Sequence, residues 1–418
     1  MHTSKQQSVQ SPPDSGALRP RYWSVNGRFL SRHLTGVDRY ALEILRSIDS
    51  LIGARHPLTA GIRLEILCPA EAVEASPFVN IPLRLLPSAP GHFWEQFVLP
   101  GYVHGGLLSL CNTGPLATKK QILCIHDVNT RLVPQSYSFA FRTAYRMLQP
   151  ALAKRAAEIV TVSRFSQQAM ARFGIAPADE IKVVYDGYEH VLTWNANQAP
   201  LKQTDLPHPF VLLIGSNAPH KNTAVIYSIA AELARKEVHV LVAGGVDTNV
   251  YARTRDRRLP ENVRHLGRVD DDDLALLYKR ALCLVFPSLT EGFGLPVLEA
   301  MALGCPVISS DLGGLPEVCG GAALYASPHD GPAWLAAIDH VACDPSLRDR
   351  LVAEGRKRSQ LFSWRRSAEQ YLELMFALDH DSDRRRLGRR QTAQRARSVL
   401  PENEGNLARV FATIGKLE

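Results

Sequence analysis

The run Leu284-Val285-Phe286-Pro287-Ser288-Leu289-Thr290-Glu291-Gly292-Phe293-Gly294-Leu295-Pro296-Val297-Leu298-Glu299-Ala300-Met301-Ala302-Leu303-Gly304-Cys305-Pro306-Val307-Ile308-Ser309 decides how this chain folds. The apolar residues 284–286 form a strand that stops at Pro287-Ser288. A short loop with two glycines follows. Proline at 296 suits the first turn of a helix, where its missing N–H would have no intrahelical partner anyway. The spacing predicts a helix over 296–303. Gly304 can take the left-handed backbone that closes a helix, and Pro306 enforces the stop. The next strand begins at once, so the stretch is one strand–helix–strand unit of an α/β protein.

The loop also has chemistry. Gly292 and Gly294 let backbone N–H groups approach a ligand closely, and the helix start adds a positive dipole end. That combination suits a diphosphate or the hydroxyls of a sugar. Glu291 lies on the loop and Glu299 about one turn into the helix, which sets two acceptors at different depths. Taken alone, two glutamates beside a helix start are equally well explained as solvated acids favoured there.

Outward from this unit, strand-like runs alternate with helical patterns, the signature of parallel sheets with crossover helices. Strands are expected at 21–25, 63–67, 121–125, 158–162 and 182–185, and in a second unit at 210–214, 238–243, 263–266, 282–286, 306–309 and 322–325. After the first strand, Ala41, Ile44, Leu45 and Ile48 make one helical stripe. The segments are a polar tail at 1–20, a first Rossmann-like domain at 21–190 and an aperiodic linker at 191–209. A second such domain occupies 210–362, a helix at 363–380 packs back towards the first, and a basic tail fills 381–418. Such sheets bind ligands beyond the carboxyl ends of their strands.

Composition narrows the function less. The chain has 418 residues, a hydrophobic share of 45%, a formal net charge of +7 and 7 cysteines. The apolar share fits a globular protein. The charge suits an anionic substrate, a phospholipid surface or nucleic acid alike. No cysteine pair has CxxC spacing, so the cysteines read as small buried hydrophobes. The first 20 residues lack the apolar stretch of a signal peptide, and no run approaches the roughly 20 apolar residues of a membrane span. The expectation is a cytoplasmic protein, soluble or peripheral on the inner face of the membrane. Residues 139–155 mix Phe139, Tyr145, Met147, Leu148 and Leu152 with Arg142, Arg146, Lys154 and Arg155. This pattern suits either an interfacial helix on an anionic membrane or an ordinary crossover helix.

The segment from Glu291 to Ile308 resembles the retaining GT-B glycosyltransferases of family 4, the glycosyl transferases group 1, whose hallmark is two glutamates separated by seven residues. Gly313-Gly314-Leu315-Pro316-Glu317 is similar to the family's G-G-x-P-E. The resemblance implies the GT-B fold, in which two Rossmann-like domains face each other across a cleft. It also implies a role for each matching residue. Glu299 holds the donor ribose and Glu291 lies at the donor sugar. The backbone at Phe293, Gly294 and Leu295 meets sugar and phosphate. Gly215 to Asn222 resembles the phosphate loop, giving Lys221 to the donor diphosphate, with Ser216 and His220 beside it. His220 replaces an arginine of the family pattern. Leu266-Gly267-Arg268-Val269 resembles a loop near the base, which brings in Val269. Thr35 to Tyr40 resembles a turn that puts Gly36 at the diphosphate, with Arg39 towards the acceptor. Ile125-His126-Asp127 resembles a motif whose histidine lies at the donor sugar, so His126 joins Glu291 as a candidate catalytic residue. Val162 to Ser166 resembles a strand–helix junction that offers Ser163 and Arg164 to the acceptor.

The activity implied is hexose transfer with retention, with mannose and GDP-mannose favoured, as in mannosyl- and rhamnosyltransferases of surface-polysaccharide pathways. The acceptor implied is a glycan, lipid-linked through a polyprenyl diphosphate. No metal or other cofactor is expected. The aspartates at 270–273 precede Leu274, Leu276 and Leu277 and read as the cap and first turn of a helix. A nucleotide-sugar epimerase remains the alternative within this fold. A dinucleotide oxidoreductase lacks its G-x-G-x-x-G. The basic tail lacks interleaved aromatics, so no specific nucleic-acid partner is expected.

Overall fold

The computed structural model describes residues 20–71, 76–215, 218–245 and 260–380. Two parallel sheets form two lobes. The first contains β1 (Arg21–Asn26), β2 (Ile62–Pro69), β3 (Leu83–Leu86), β4 (Gly106–Ser109), β5 (Gln121–Cys124), β6 (Glu158–Thr161) and β7 (Ile181–Val183), in the order β3-β2-β1-β4-β5-β6-β7. The second contains β8 (Phe210–Ile214), β9 (His239–Ala243), β10 (Val263–Gly267), β11 (Cys283–Phe286), β12 (Val307–Ser310) and β13 (Leu324–Ala326), in the order β10-β9-β8-β11-β12-β13. Each order reverses at its first strand, which makes a switch point where a crevice opens. The central strands β4, β5, β11 and β12 are buried at every residue, as strands covered on both faces must be.

Seven helices position the crevice: α1 (Gly36–Gly53), α2 (Phe139–Arg155), α3 (Arg164–Arg172), α4 (Asp271–Arg280), α5 (Leu295–Leu303), α6 (Leu315–Cys319) and α7 (Trp364–His380). The α1 start is tied down by Asp38, which accepts from the Thr35 backbone N–H at 3.1 Å and its hydroxyl at 2.6 Å. Ala41, Ile44, Leu45 and Ile48 of α1 are fully buried. Burying each of the three larger side chains contributes roughly 1.5–3 kcal/mol.

The last helix returns to the first lobe. Ala368, Tyr371, Leu372 and Met375 repeat the same spacing along α7 and share one core with α1. The Tyr40 and Tyr371 hydroxyls meet at 3.0 Å. Asp379 at the helix end takes Arg21 Nε at 2.7 Å, Lys120 Nζ at 2.6 Å and the Trp23 indole at 3.1 Å. The same core includes Phe293, Leu295 and Leu298 from the second lobe, so apolar packing runs across the boundary.

Candidate active site between the two lobes

The loop after β11 is where the lobes touch. The Gly292 carbonyl accepts from the Ser163 hydroxyl, and Thr290 Oγ1 donates to Asn129 Oδ1 at 3.2 Å. A Cβ on Gly292 would lie 2.5 Å from the His126 carbonyl oxygen, so any side chain there would force the lobes apart. Gly294 has φ +104, and its Cβ would lie 2.5 Å from Leu315 Cδ2. Only glycine meets both demands, and α5 then starts at Leu295, its Val297 N–H turned back to the Gly294 carbonyl at 3.0 Å.

Lys221 reaches this loop from the other side of the second sheet's switch point. It ends the short 3-10 turn Pro219–Lys221, whose His220 carbonyl accepts from the Leu289 N–H at 2.8 Å. Lys221 Nζ donates to Glu291 Oε1 at 2.8 Å and lies 5.5 Å from the centroid of the Phe286 ring. Burial, the largest single influence, works against the Glu291 carboxylate, but the Lys221 ammonium, together with His220 and the Ser288 hydroxyl, holds the group below the usual carboxylate range. Asp127 shows the opposite balance: burial, with the Glu291 charge adding to it, pushes its carboxyl up to about 6. Burial also holds His126 and His220 down at about 4, so both rings are neutral at pH 7. His126 Nε2 meets the Leu110 carbonyl at 2.7 Å. A carbonyl can only accept, so in the neutral ring Nε2 bears the proton.

Glu299 points from α5 into a buried network. Its Oε1 lies 3.1 Å from His190 Nε2, and its Oε2 accepts from the Tyr278 hydroxyl at 3.0 Å. Nearby Asp186 is raised well above the ordinary carboxyl range by burial and by the Glu299 charge. A carboxylate has about four acceptor positions, and these two contacts occupy two of them.

Comparison with known proteins agrees with this architecture. The family described as Glycosyl transferases group 1 matches residues 198–358. The O-antigen chain mannosyltransferase B of Escherichia coli is 32% identical over 263 residues, which cover 60% of this chain and 68% of that protein. The chain belongs to the glycosyl transferases group 1. The O-antigen chain mannosyltransferase RfbU of Salmonella typhimurium is 29% identical over 56% of this chain, a match that spans 64% of that protein's length. Among solved structures, sucrose-phosphate synthase from Thermosynechococcus elongatus aligns with a TM-score of 0.66 at 21% identity, over 86% of this chain and 99% of its own. Anabaena HepE in complex with UDP and glucose aligns at 0.60 and 16% identity, over 85% of this chain and 100% of its own. These likenesses establish the GT-B fold.

In this group 1 chain, the structure brings His126, Lys221, Glu291, Phe293, Gly294 and Leu295 to the facing carboxyl ends of the two sheets. Glu299 lies deeper, below them. Gly36 is exposed at the start of α1, with nothing within 4 Å of the position its Cβ would take. Val269 is partly buried against the second lobe's core. Ser216 lies outside the described residues. Of the three residues read as acceptor contacts, Arg39 and Ser163 are held by protein groups. The Arg39 guanidinium pairs with Asp271 across the lobes, stacked 5.7 Å from the Trp194 ring. Ser163 is fully buried, capping α3 by accepting from Ser166 N at 3.0 Å. The Arg164 and Phe165 backbone N–H groups donate to Glu317 at 3.0 and 3.2 Å.

Each of the four aspartates at 270–273 has a protein partner. Asp270 caps α4 by accepting from Asp273 N at 2.7 Å, and Asp271 holds Arg39. Asp272 accepts from Asn195 N at 2.6 Å and Asp273 from Leu201 N at 2.7 Å. Sequence reasoning missed Asp127, His190 and Tyr278. Asp127 follows His126 directly and was open to notice, whereas nothing local marks the other two.

Proposed function

We propose that the chain transfers a hexose, mannose from GDP-mannose in the first instance, to a hydroxyl of a lipid-linked glycan, with retention of configuration. The relatives named as O-antigen mannosyltransferases support the choice of sugar and pathway. The observation that carries the reading is the Lys221–Glu291 pair at 2.8 Å, set between the facing sheet ends and beside the α5 start. An ammonium has three donors, so after Glu291 takes one, two remain for diphosphate oxygens. The α5 dipole adds countercharge, which removes the need for a metal.

In this reaction the acceptor oxygen bonds to the sugar's C1 on the face the diphosphate leaves. The C1–O bond breaks with its electron pair going to the diphosphate, and the acceptor proton passes to the departing phosphate oxygen. The protein's contribution is orientation and stabilisation of the leaving charge. The ionised Glu291 holds a sugar hydroxyl and Glu299 the ribose hydroxyls.

Docking on an anionic membrane would bring the enzyme to such an acceptor. Among the described residues no helix is long and apolar enough to cross a bilayer. The α2 surface instead exposes Phe139 and Met147, at 73% and 74%, beside Arg142 and Arg146, and Phe93 and Phe97 are exposed on the same lobe. Apolar side chains among arginines suit an interfacial position. The 381–418 segment lies outside the described residues.

A panel of nucleotide-sugars, read by protection against melting and by the anomeric configuration of the product, tests the proposal. Protection by GDP-mannose and an α-linked product are expected. An inverted anomeric centre would remove the retaining mechanism.

A further inference from the structure

Beside the reaction centre lies a cavity that the donor reading leaves unused. It has a volume of about 590 Å³ and opens at the carboxyl ends of β1, β2 and β3, with Arg28, Ser31, Arg32, Glu71 and Ser88 among its lining residues. That volume is within the usual range for ligand sites. Both arginines come from the turn that follows β1, which Asn26 caps by accepting from the Arg28 N–H at 3.3 Å.

Their donors are largely open to a ligand. Among the described residues the Arg28 guanidinium makes one hydrogen bond, to Thr113 Oγ1 at 3.3 Å, while Glu95 stands 3.7 Å away. Glu95 is already held by Asn26 Nδ2 at 2.6 Å, Thr113 Oγ1 at 3.1 Å and His92 at 3.0 Å. Arg32 directs Nε and one amino group at the same Asp38 oxygen, and its side chain keeps 39% of its exposure. Each guanidinium has five N–H donors, so the pair presents a surplus in the fork geometry that matches carboxylate and phosphate oxygens. Glu71 is the one carboxylate among the cavity residues named above.

The cavity adjoins the chemistry. His92, next to the lining residue Gly91, lies 3.0 Å from the Glu95 carboxylate beside Arg28 and sets its ring edge-on to Tyr145 with centroids 6.0 Å apart. From Tyr145 a row of rings leads to the Lys221 loop: Phe141 at 4.3 Å, then Tyr137 at 5.7 Å, then His220 at 5.9 Å, each nearly parallel to the last. Through His92 one end of this row stands near the arginine cavity, and the other is at the candidate diphosphate site.

Resting on the transferase reading, we propose that the Arg28–Arg32 cavity is the acceptor subsite for an oxyanion, phosphoryl or carboxyl, carried close to the accepting sugar. The accepting hydroxyl then reaches Glu291 and Asp127 along the Tyr145 wall while the anion is clamped at the strand ends. Selection for a charged acceptor follows, because a neutral one leaves two arginines facing an unfilled cavity.

The test uses the full chain saturated with GDP, so that the donor phosphate site is filled, and two probes, inorganic pyrophosphate and methyl glucuronide, with methyl glucoside as the neutral control. Calorimetry is expected to show binding of at least one anion and none of methyl glucoside. A preference for pyrophosphate points to a phosphoryl-linked acceptor, and one for methyl glucuronide to an acidic sugar. Arg28→Gln is expected to weaken the bound anion roughly 10- to 100-fold, as loss of charge-assisted hydrogen bonds does. Arg28→Lys should recover part of that loss. Ser31→Glu changes an exposed residue, keeps both arginines, and should abolish anion binding by charge alone. Neither anion binding, or binding unchanged in Arg28→Gln and Ser31→Glu, overturns the proposal. Failure of GDP itself to bind is a separate result that removes the donor reading, and the same probes and variants are then compared on nucleotide-free protein.

Discussion

The Trp364 indole Nε1 donates to Nδ1 of His190 at 2.9 Å. An indole can only donate, so Nδ1 of the neutral ring carries the lone pair and Nε2 the proton, aimed at Glu299 Oε1. The first residue of α7 thus sets the tautomer of His190, at the end of the first lobe's chain, which in turn orients Glu299 of α5. The contact joins α7, which packs on the first lobe, to α5 of the second.

Trp364→Phe keeps the ring and removes the donor, so His190 is free to change tautomer. Nucleoside diphosphate affinity should fall by about 1 kcal/mol, roughly fivefold, as for a single hydrogen bond. Glu299→Ala should cost more, roughly 1.5–3 kcal/mol, and should weaken binding more than Glu291→Ala, which acts mainly on turnover. Calorimetry with GDP, with turnover measured alongside, checks both. Unchanged affinity in Glu299→Ala would end its assignment to the ribose.

The Asp127 carboxyl predicts a pH dependence of stability. Its folded value, about 6, lies above the ordinary one, so the native state binds the proton more tightly than the unfolded chain. That contribution is fully present below about pH 4 and is lost as pH rises through 6. Asp127→Asn mimics the protonated form and can still accept from the Asn129 N–H, which Asp127 Oδ1 takes at 2.9 Å. The variant should therefore gain on the wild type between pH 4.5 and 7.5, by at most about 3 kcal/mol. His126 and His220 work in the opposite sense in both proteins, since burial lowers their values to about 4. Denaturant melts at the two pH values decide, and an equal difference at both would contradict the raised Asp127 value.

Activity in excess chelator is expected to match activity without it, because in the proposed reaction the countercharge comes from Lys221 and the α5 start, while the aspartates of α4 are held by protein groups. Complete loss with EDTA, restored by manganese, would place a metal at the diphosphate.

Anionic vesicles should sediment the protein at low salt and release it at high salt, because a cationic surface is screened within a Debye length of about 10 Å at 0.1 M. Replacing Phe139 and Met147 by serine should weaken binding even at low salt. Binding that survives those changes and disappears when residues 381–418 are deleted would move the contact to the basic segment.

The sequence by itself determined the strand–loop–helix unit around Glu291, because its instructions are short-range. Gly294 and Gly304 take φ +104 and +77 at the two ends of α5, with Pro296 in its first turn, and each demand is met within a few residues. The α1 stripe was legible for the same reason, as a 3.6-residue period. Two strands were not. Gly106–Ser109 is a four-residue buried run with no period to separate strand from helix, and Leu83–Leu86 lies at a sheet edge with two of its four residues exposed. Tertiary structure alone decided how Glu299 is held, since His190, Tyr278 and Trp364 are 109, 21 and 65 residues distant and share no motif with it. It also gave Arg39 to Asp271, 232 residues away. Such pairings arise when two lobes close and bury their charges, and a buried charge takes whichever partner the packing brings within reach.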